Sequence, residues 1–295
     1  MKGKDPKMTQ QIEQGTPEWL ELRKNRIGAS DCPVIMGVSP WTSPYRLWTY
    51  KMGLDEPKMN GAMARGLDME TQARNAFNAF LGIETAPKVY LDDDRYPFLM
   101  ASLDGVSACG KITVEIKCPG YEDHKTALSG KVPEKYYPQL QHQLYITGLP
   151  SMWYWSYRPL ENNASILVYR DDAYIAKMLE AEVEFYRRMV EFDPPPLTDK
   201  DYQDMSENDD WCKAALQYQS AQRSRKHWED LEETMRKELV RLSLGQNSRG
   251  GGVKLTKYYR KGAVEFSKIP ELEKVDLEKY RKPMVESYRI SEVGE

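Results

Sequence analysis

Cysteine and histidine are scarce in this chain and scattered along it. The four cysteines (Cys32, Cys109, Cys118 and Cys212) include no CxxC pair, and the three histidines form no HExxH or comparable cluster. Those absences argue against a structural zinc site and against a disulfide framework. A metal here must be held by oxygen ligands, which favours magnesium or manganese over zinc. No run of eighteen apolar residues occurs, so a membrane-spanning helix is excluded on length. The opening MKGKDPKMTQQIEQG carries charge with no apolar stretch behind it, which is not the pattern of a secretory signal. A cytoplasmic protein with no membrane partner is expected.

An overall basic charge is missing too. The net charge is −3, which at first reads against a nucleic-acid partner. The distribution is uneven, however: Arg249 to Arg289 holds eleven Lys/Arg against six acids, leaving about −8 on the rest. A basic tail on an acidic body is compatible with nucleic acid without demanding it, and a merely solvated segment explains it as well.

What is present is an ordered succession of helix and strand signals. Thr16-Pro17-Glu18 opens a helix with a capping hydroxyl, a first-turn proline and an acid, and Gly28 is expected to end it. Ser30-Asp31 suits the start of a short helix through Met36, and Ser43-Pro44 starts a third that Gly53 stops. A longer helix is predicted over Gly61–Leu81, with Met63, Leu67, Ala73, Phe77 and Phe80 on its apolar face. Strands are predicted over 84–91, 98–103 and 111–117, with Asp92-Asp93-Asp94 as a turn. Residues 136–147 read as helix, 153–157 and 166–169 as strands, and 171–191 as helix. This order indicates an α/β or α+β domain with a mixed sheet. Pro194-Pro195-Pro196 is a stiff break, followed by a long charged helix over 206–244 in which Trp228, Leu231, Met235, Leu239 and Leu242 form a packing seam. Gly245 and Gly250-Gly251-Gly252 frame a flexible hinge.

Chemistry concentrates in the middle. Ser102-Leu103-Asp104-Gly105 places an acid at a strand end before a glycine turn. Thr113-Val114-Glu115-Ile116-Lys117-Cys118-Pro119 then sets Glu115 and Lys117 two apart, on one face of a strand, with Ile116 pointing into the core. Phosphodiester hydrolysis needs an activated water, charge relief on the phosphate and a stabilised leaving oxygen, and carboxylate-held divalent ions supply all three. An acid and a lysine on one face of an apolar strand suit this chemistry, with the acid as ligand and the ammonium against the phosphate or nucleophile. Asp104 before glycine could equally be turn chemistry.

An acid, a loop and then (D/E)-x-K on a strand resembles the PD-(D/E)xK nuclease superfamily. Three further segments are similar to its phage-type branch, the lambda-exonuclease and YqaJ-type viral recombinases: GTPEWLELRKNRIGASD, RGLDMETQAR and YYPQLQHQLYITG. The run from Gly251 to Arg289 looks like the tail of phage YqaJ-type proteins. The resemblance implies a restriction-endonuclease-like core over 1–196, a mixed central β-sheet flanked by helices, with a C-terminal extension over 197–295. It implies that Asp104, Glu115 and the Ile116 carbonyl hold Mg²⁺ (Mn²⁺ able to substitute), with Glu70 at a second ion or acting through water. Lys117 would contact the scissile phosphate, and Gln141, in a helix that also carries Gln139 and Gln143, would position water or Lys117. Arg23 and Ser30 would bind a DNA 5′-phosphate.

The activity so implied is 5′-to-3′ digestion of linear double-stranded DNA, leaving 3′ single-stranded tails for recombination in a bacterial host cell. DNA ends, a single-strand annealing protein and a trimeric ring of identical subunits are the implied partners. Competing readings are an end-independent endonuclease of the same superfamily and a catalytically silent DNA-binding scaffold. Without the resemblance, Arg23 reads as a surface charge, Ser30 as a helix cap and Glu70 as a solvated helix acid. Cys118 and His142 read as structural, and Trp41, Trp48, Trp153 and Trp155 as core rather than base-stacking platforms.

Overall fold

The computed structural model describes residues 12–57, 61–92, 95–265 and 268–282. It divides into two compact units, Met1–Asp204 and Met205–Glu295. The division falls beyond the triple proline because the turn at Asp199–Asp201 packs back on the first unit, where Lys200 Nζ donates to the Ser39 carbonyl (2.6 Å) and the Ser43 hydroxyl donates to Asp201. Among the described residues, no helix is long and apolar enough to cross a membrane.

The first unit is a mixed sheet with helices packed against it. Helix α1 (Pro17–Asn25) starts where Thr16 Oγ1 accepts the Trp19 N–H. It ends before Gly28, which belongs instead to a two-residue strand, β1 (Ile27–Gly28). A 3-10 turn, Ala29–Asp31, leads into α2 (Cys32–Ile35); the Asp31 carboxylate accepts the Gly28 N–H (2.8 Å), so Ser30 is not the cap expected there. Helix α3 (Pro44–Lys51) is capped by Ser43, and α4 spans Gly61–Leu81. Ala73 and Phe77 of α4 are buried and Phe80 is exposed. The side chains of Met63 and Leu67, and the turn residues Asp93 and Asp94, lie outside the described residues, as do residues 283–289 of the tail.

Strands β2 (Thr85–Leu91), β3 (Leu99–Ser107) and β4 (Thr113–Lys117) form an antiparallel meander. Helix α5 (Tyr121–Leu128), absent from the sequence-based expectation, and α6 (Tyr137–Thr147) then carry the chain to β5 (Ser151–Ser156), parallel to β4. Such a crossover needs helix-length chain. Strand β6 (Ala164–Tyr169) returns antiparallel, and α7 (Asp172–Val190) closes the unit, capped by Asp171. The strand order is β1-β3-β4-β5-β6, with β2 also on β3.

Strand β3 runs further than expected. Asp104-Gly105 is not a turn but lies inside the strand, with Gly105 paired to Val114. A glycine is required there by crowding: a Cβ would stand 2.6 Å from Thr85 Oγ1 and 2.7 Å from Val114 Cγ1.

In the second unit, α8 (Asp209–Leu242) is capped by Asn208, and the residues of the predicted seam are exposed on it. The glycine-rich hinge is a hairpin: β7 (Ser248–Gly250) pairs with β8 (Val253–Leu255) across Gly251 and Gly252, both at positive φ. Two consecutive positive-φ residues are what a tight hairpin turn demands.

Candidate active site

Glu115 and Lys117 share a face of β4, as period-two alternation requires, and the Lys117 ammonium donates to Glu115 Oε1 at 2.5 Å. Ile116 points the other way, into a cluster with Phe77, Val114 and Trp155. Asp104 stands across the β3–β4 pairing, where its Oδ2 accepts the Ile116 N–H at 2.7 Å. The structure thus brings Asp104, Glu115 and Lys117 to one place.

Helix α6 supplies the rest of the Glu115 environment. Gln139 Nε2 donates to Oε1 and Gln143 Nε2 to Oε2, each at 2.5 Å. Gln143 also donates to the Ser102 carbonyl (3.1 Å), which ties the helix to β3. Gln141 does not join them. Its Nε2 donates to the Tyr169 carbonyl and its Oε1 accepts the Asp171 N–H, both at 2.9 Å, so it staples β6 to the start of α7. The reason is helical phase: two residues turn the side chain by about 200°, whereas four bring it back within about 40°. The assignment of Gln141 to the acidic centre is therefore corrected in favour of Gln139 and Gln143.

The charges are unbalanced. Burial, then repulsion from Glu115, pushes the Asp104 carboxyl well above its ordinary value, and Lys117 opposes only part of this. Burial would weaken the Lys117 cation, but Glu115 and Asp104 outweigh it and hold the ammonium charged. Glu70, on α4, pairs with Arg74 one turn along and adds to the negative potential felt by Asp104 and Cys118. The Cys118 thiol is pushed up to about 11, by burial first and those acids second. Two neighbouring carboxylates thus share the charge of one lysine, which contacts Glu115 directly. Gln143 Oε1 is buried beside Glu115 with no partner among the described residues. Asp104 and Glu115 offer carboxylate oxygens of the type a hard divalent cation takes, although Asp104 Oδ2 and both Glu115 oxygens accept hydrogen bonds in this structure.

Arg23 and Ser30 also meet. Arg23 Nη2 donates to Ser30 Oγ (2.7 Å), an arrangement in which the hydroxyl, among the described residues, can still act as a donor, and the guanidinium lies 5.0 Å from the centroid of the Trp19 ring. Trp19 Nε1 in turn donates to Ser102 Oγ (2.9 Å), so this corner is joined to β3 two residues before Asp104. Beneath it lies a buried ion pair that no local sequence pattern reveals: Lys51 Nζ is 2.5 Å from Asp31 Oδ2 and donates to the Arg23 and Arg26 carbonyls (2.8 and 2.7 Å). Burial raises the Asp31 pKa, but Lys51 and then Arg23 overcome it, leaving the carboxyl below its usual range.

A second buried polar group joins Cys32, His142 and Glu182. His142 is fully buried: its Nδ1 meets Glu182 Oε1 at 2.7 Å and its Nε2 meets the Met100 carbonyl at 2.9 Å. The Cys32 thiol donates to the same Glu182 oxygen at 2.6 Å. The Cys32 sulfur also meets His142 Nδ1 at 3.1 Å, so sulfur, nitrogen and oxygen donors of the kind a divalent metal takes converge here, hydrogen-bonded to one another in this structure.

Among the tryptophans, Trp48 and Trp155 are core, as expected, whereas Trp41 is 61% exposed. A loop residue between two short helices has no periodic pattern from which burial could be read.

Comparison with known proteins places this geometry in context. The YqaJ-like viral recombinase domain matches residues 18–150. The uncharacterized protein YqaJ of Bacillus subtilis (strain 168) is 28% identical over 184 residues, 60% of this chain and 57% of that protein, so the match spans little more than half of the relative. An alkaline exonuclease (LHK-Exo) from Laribacter hongkongensis is similar in structure, with a TM-score of 0.52 and 25% identity over 60% of this chain and 94% of the exonuclease. The same enzyme in complex with dAMP gives a TM-score of 0.53 with the same identity and coverage. The mixed sheet flanked by helices is thus the restriction-endonuclease-like fold.

Proposed function

We propose, from the match of residues 18–150 to the YqaJ-like viral recombinase domain, that the protein is a metal-dependent nuclease that degrades linear double-stranded DNA from its 5′ ends. The observation that carries this reading is the buried Glu115 carboxylate, gripped by Gln139, Gln143 and Lys117 beside Asp104. The likeness to an alkaline exonuclease, and that enzyme's complex with dAMP, support a DNA strand as the substrate.

Asp104 and Glu115, with the Ile116 carbonyl, would hold Mg²⁺, Mn²⁺ being able to substitute, and Glu70 would serve a second ion or act through water. Such an ion, when bound, polarises the scissile phosphate and makes a bound water a stronger nucleophile. Lys117 keeps its charge and offers it to a non-bridging phosphate oxygen. Gln139 and Gln143 fix the Glu115 carboxylate so that it need not reorganise during the reaction. Arg23 presents a planar guanidinium, and Ser30 a hydroxyl hydrogen, to a terminal 5′-phosphate. End recognition of this kind favours stepwise digestion and a 3′ single-stranded product, which a single-strand annealing protein would take up during phage recombination. A trimeric ring around the DNA, in the cytoplasm of a bacterial host, completes the reading.

The test uses linear duplex DNA with 5′-phosphate or 5′-hydroxyl ends and a covalently closed circle, each with Mg²⁺ and with chelator. Metal-dependent loss of the phosphorylated linear DNA, with the circle intact, is expected. Cutting of the circle would make the protein an endonuclease, and binding without cleavage would leave a scaffold.

A further inference from the structure

Trp41 is an exposed indole on a pinned loop. Lys200 donates to the Ser39 carbonyl on one side of it, the Ser43 hydroxyl donates to Asp201 on the other, and Ser39 Oγ accepts the Trp41 N–H (3.3 Å). Exposure alone marks no site, since Trp228 is 63% exposed as well; what sets Trp41 apart is its pinned loop, which lowers the entropic cost of covering the indole with a ligand.

Its neighbours indicate which ligand. The Trp41 ring lies 6.4 Å from that of Tyr136, and Tyr136 stacks at 6.0 Å on the buried Tyr154. Two ammonium groups interleave with this ladder. Lys135 stands 4.6 Å from the Trp41 centroid and 5.5 Å from that of Tyr136, while Lys117 stands 5.4 Å from Tyr136. Asp123 pairs with Lys135 at 2.7 Å and so steadies it against the rings. Aromatic faces alternating with cations are what a single nucleic-acid strand requires, bases stacking while phosphates meet the charges. Through Tyr136, the Trp41 ring lies no more than about 12 Å from the Lys117 ammonium, a span of a few nucleotides at ~3.4 Å rise each.

We infer that Trp41 is a base-stacking subsite, which holds a nucleobase of the strand entering the Asp104–Glu115–Lys117 centre and so sets the register of its phosphate. The inference rests on the nuclease reading for the identity of the strand, but stacking does not require hydrolysis. Because every base has a π-face, the subsite is indifferent to sequence.

The test couples a protein change to a DNA change. Binding of a short, labelled, 5′-phosphorylated duplex is measured in chelator for the full chain, Trp41→Ala and Trp41→Phe, with an abasic residue walked along the first few nucleotides. For the unaltered chain, one abasic position weakens binding about tenfold, within the range of a lost stacking contact. Trp41→Ala binds intact DNA about tenfold more weakly and loses nothing further at that position, while Trp41→Phe stays close to the unaltered chain. Equal abasic losses with and without the indole, or unchanged binding by Trp41→Ala, overturn the subsite. Coupling without cleavage in Mg²⁺ leaves the subsite standing and removes the hydrolytic reading; absence of any DNA binding removes both.

Discussion

Gln139 and Gln143 close on opposite oxygens of the same carboxylate, that of Glu115, each at 2.5 Å. Between them, two residues from either, Gln141 faces away and bonds the backbone at Tyr169 and Asp171. Three glutamines in one helix therefore divide between two roles, which mutation separates. Gln143→Ala is expected to lower kcat by about 10- to 100-fold, as loss of a carboxylate's hydrogen-bonded support does. Gln141→Ala should leave kcat near that of the parent and cost about 1–3 kcal/mol of stability from the unpaired Asp171 N–H. Steady-state kinetics alongside denaturant unfolding distinguishes the two patterns.

Gly105 is a question of space. Gly105→Ala forces Thr85 and Val114 apart at the point where β2 and β4 meet β3. The expected cost is about 1–3 kcal/mol by overpacking, with cleavage reduced because Asp104 is the adjoining residue. Shortening Val114 to Ala in the same chain should recover part of both, measured by thermal melting and cleavage rate.

Lys51 is buried on Asp31 under the Arg23–Ser30 corner. Lys51→Met strands a buried carboxylate, which costs about 3–5 kcal/mol, and adding Asp31→Asn should restore much of it. At concentrations where Lys51→Met remains folded, KM for 5′-phosphorylated ends should rise more than KM for 5′-hydroxyl ends, since the ammonium fixes the Arg23 and Arg26 carbonyls.

The Cys32–His142–Glu182 group sets a pH dependence of stability. Burial lowers the His142 pKa, but the Glu182 carboxylate and the Met100 carbonyl outweigh it, so the ring stays protonated above its ordinary value of 6.5. The folded chain therefore keeps a proton that the unfolded chain releases. Its stabilising effect is complete below the unfolded pKa and is lost as pH rises through the folded one. Cys32, raised well above 9.0 by burial and then by Glu182, acts in the same direction at higher pH. Tm should fall as pH rises from about 6 to 9, and Glu182→Gln should flatten that slope.

Much of the fold is legible in the sequence because its signals are local. Thr16 and Ser43 cap the helices their positions predict, the bounds of α4 coincide with those predicted, and the alternation of β4 sets Glu115 and Lys117 together on one face. Gly105 misleads because a glycine that avoids a clash carries the same letter as one that makes a turn. The phase of α6 is not legible because Pro138 through Leu144 are all buried, leaving no polar face from which to orient the helix. Contacts that join distant positions, such as Lys51 with Asp31 or Cys32 with Glu182, leave no periodic trace in sequence at all. The Trp41 platform escapes for a related reason: residue type suggests burial, and only the folded loop shows exposure.

The most direct measurement is single-turnover cleavage of 5′-phosphorylated linear duplex by the parent chain, Glu115→Gln and Lys117→Met, with binding followed in parallel in chelator. If the centre acts as described, Glu115→Gln binds DNA within about threefold of the parent, and Lys117→Met binds more weakly for want of a phosphate contact. Cleavage in Mg²⁺ by both falls by two or more orders of magnitude at saturating DNA, the scale of loss expected for preorganised charge at a reacting phosphate. Cleavage by either variant at the parental rate would contradict the account and move the chemistry away from Asp104, Glu115 and Lys117.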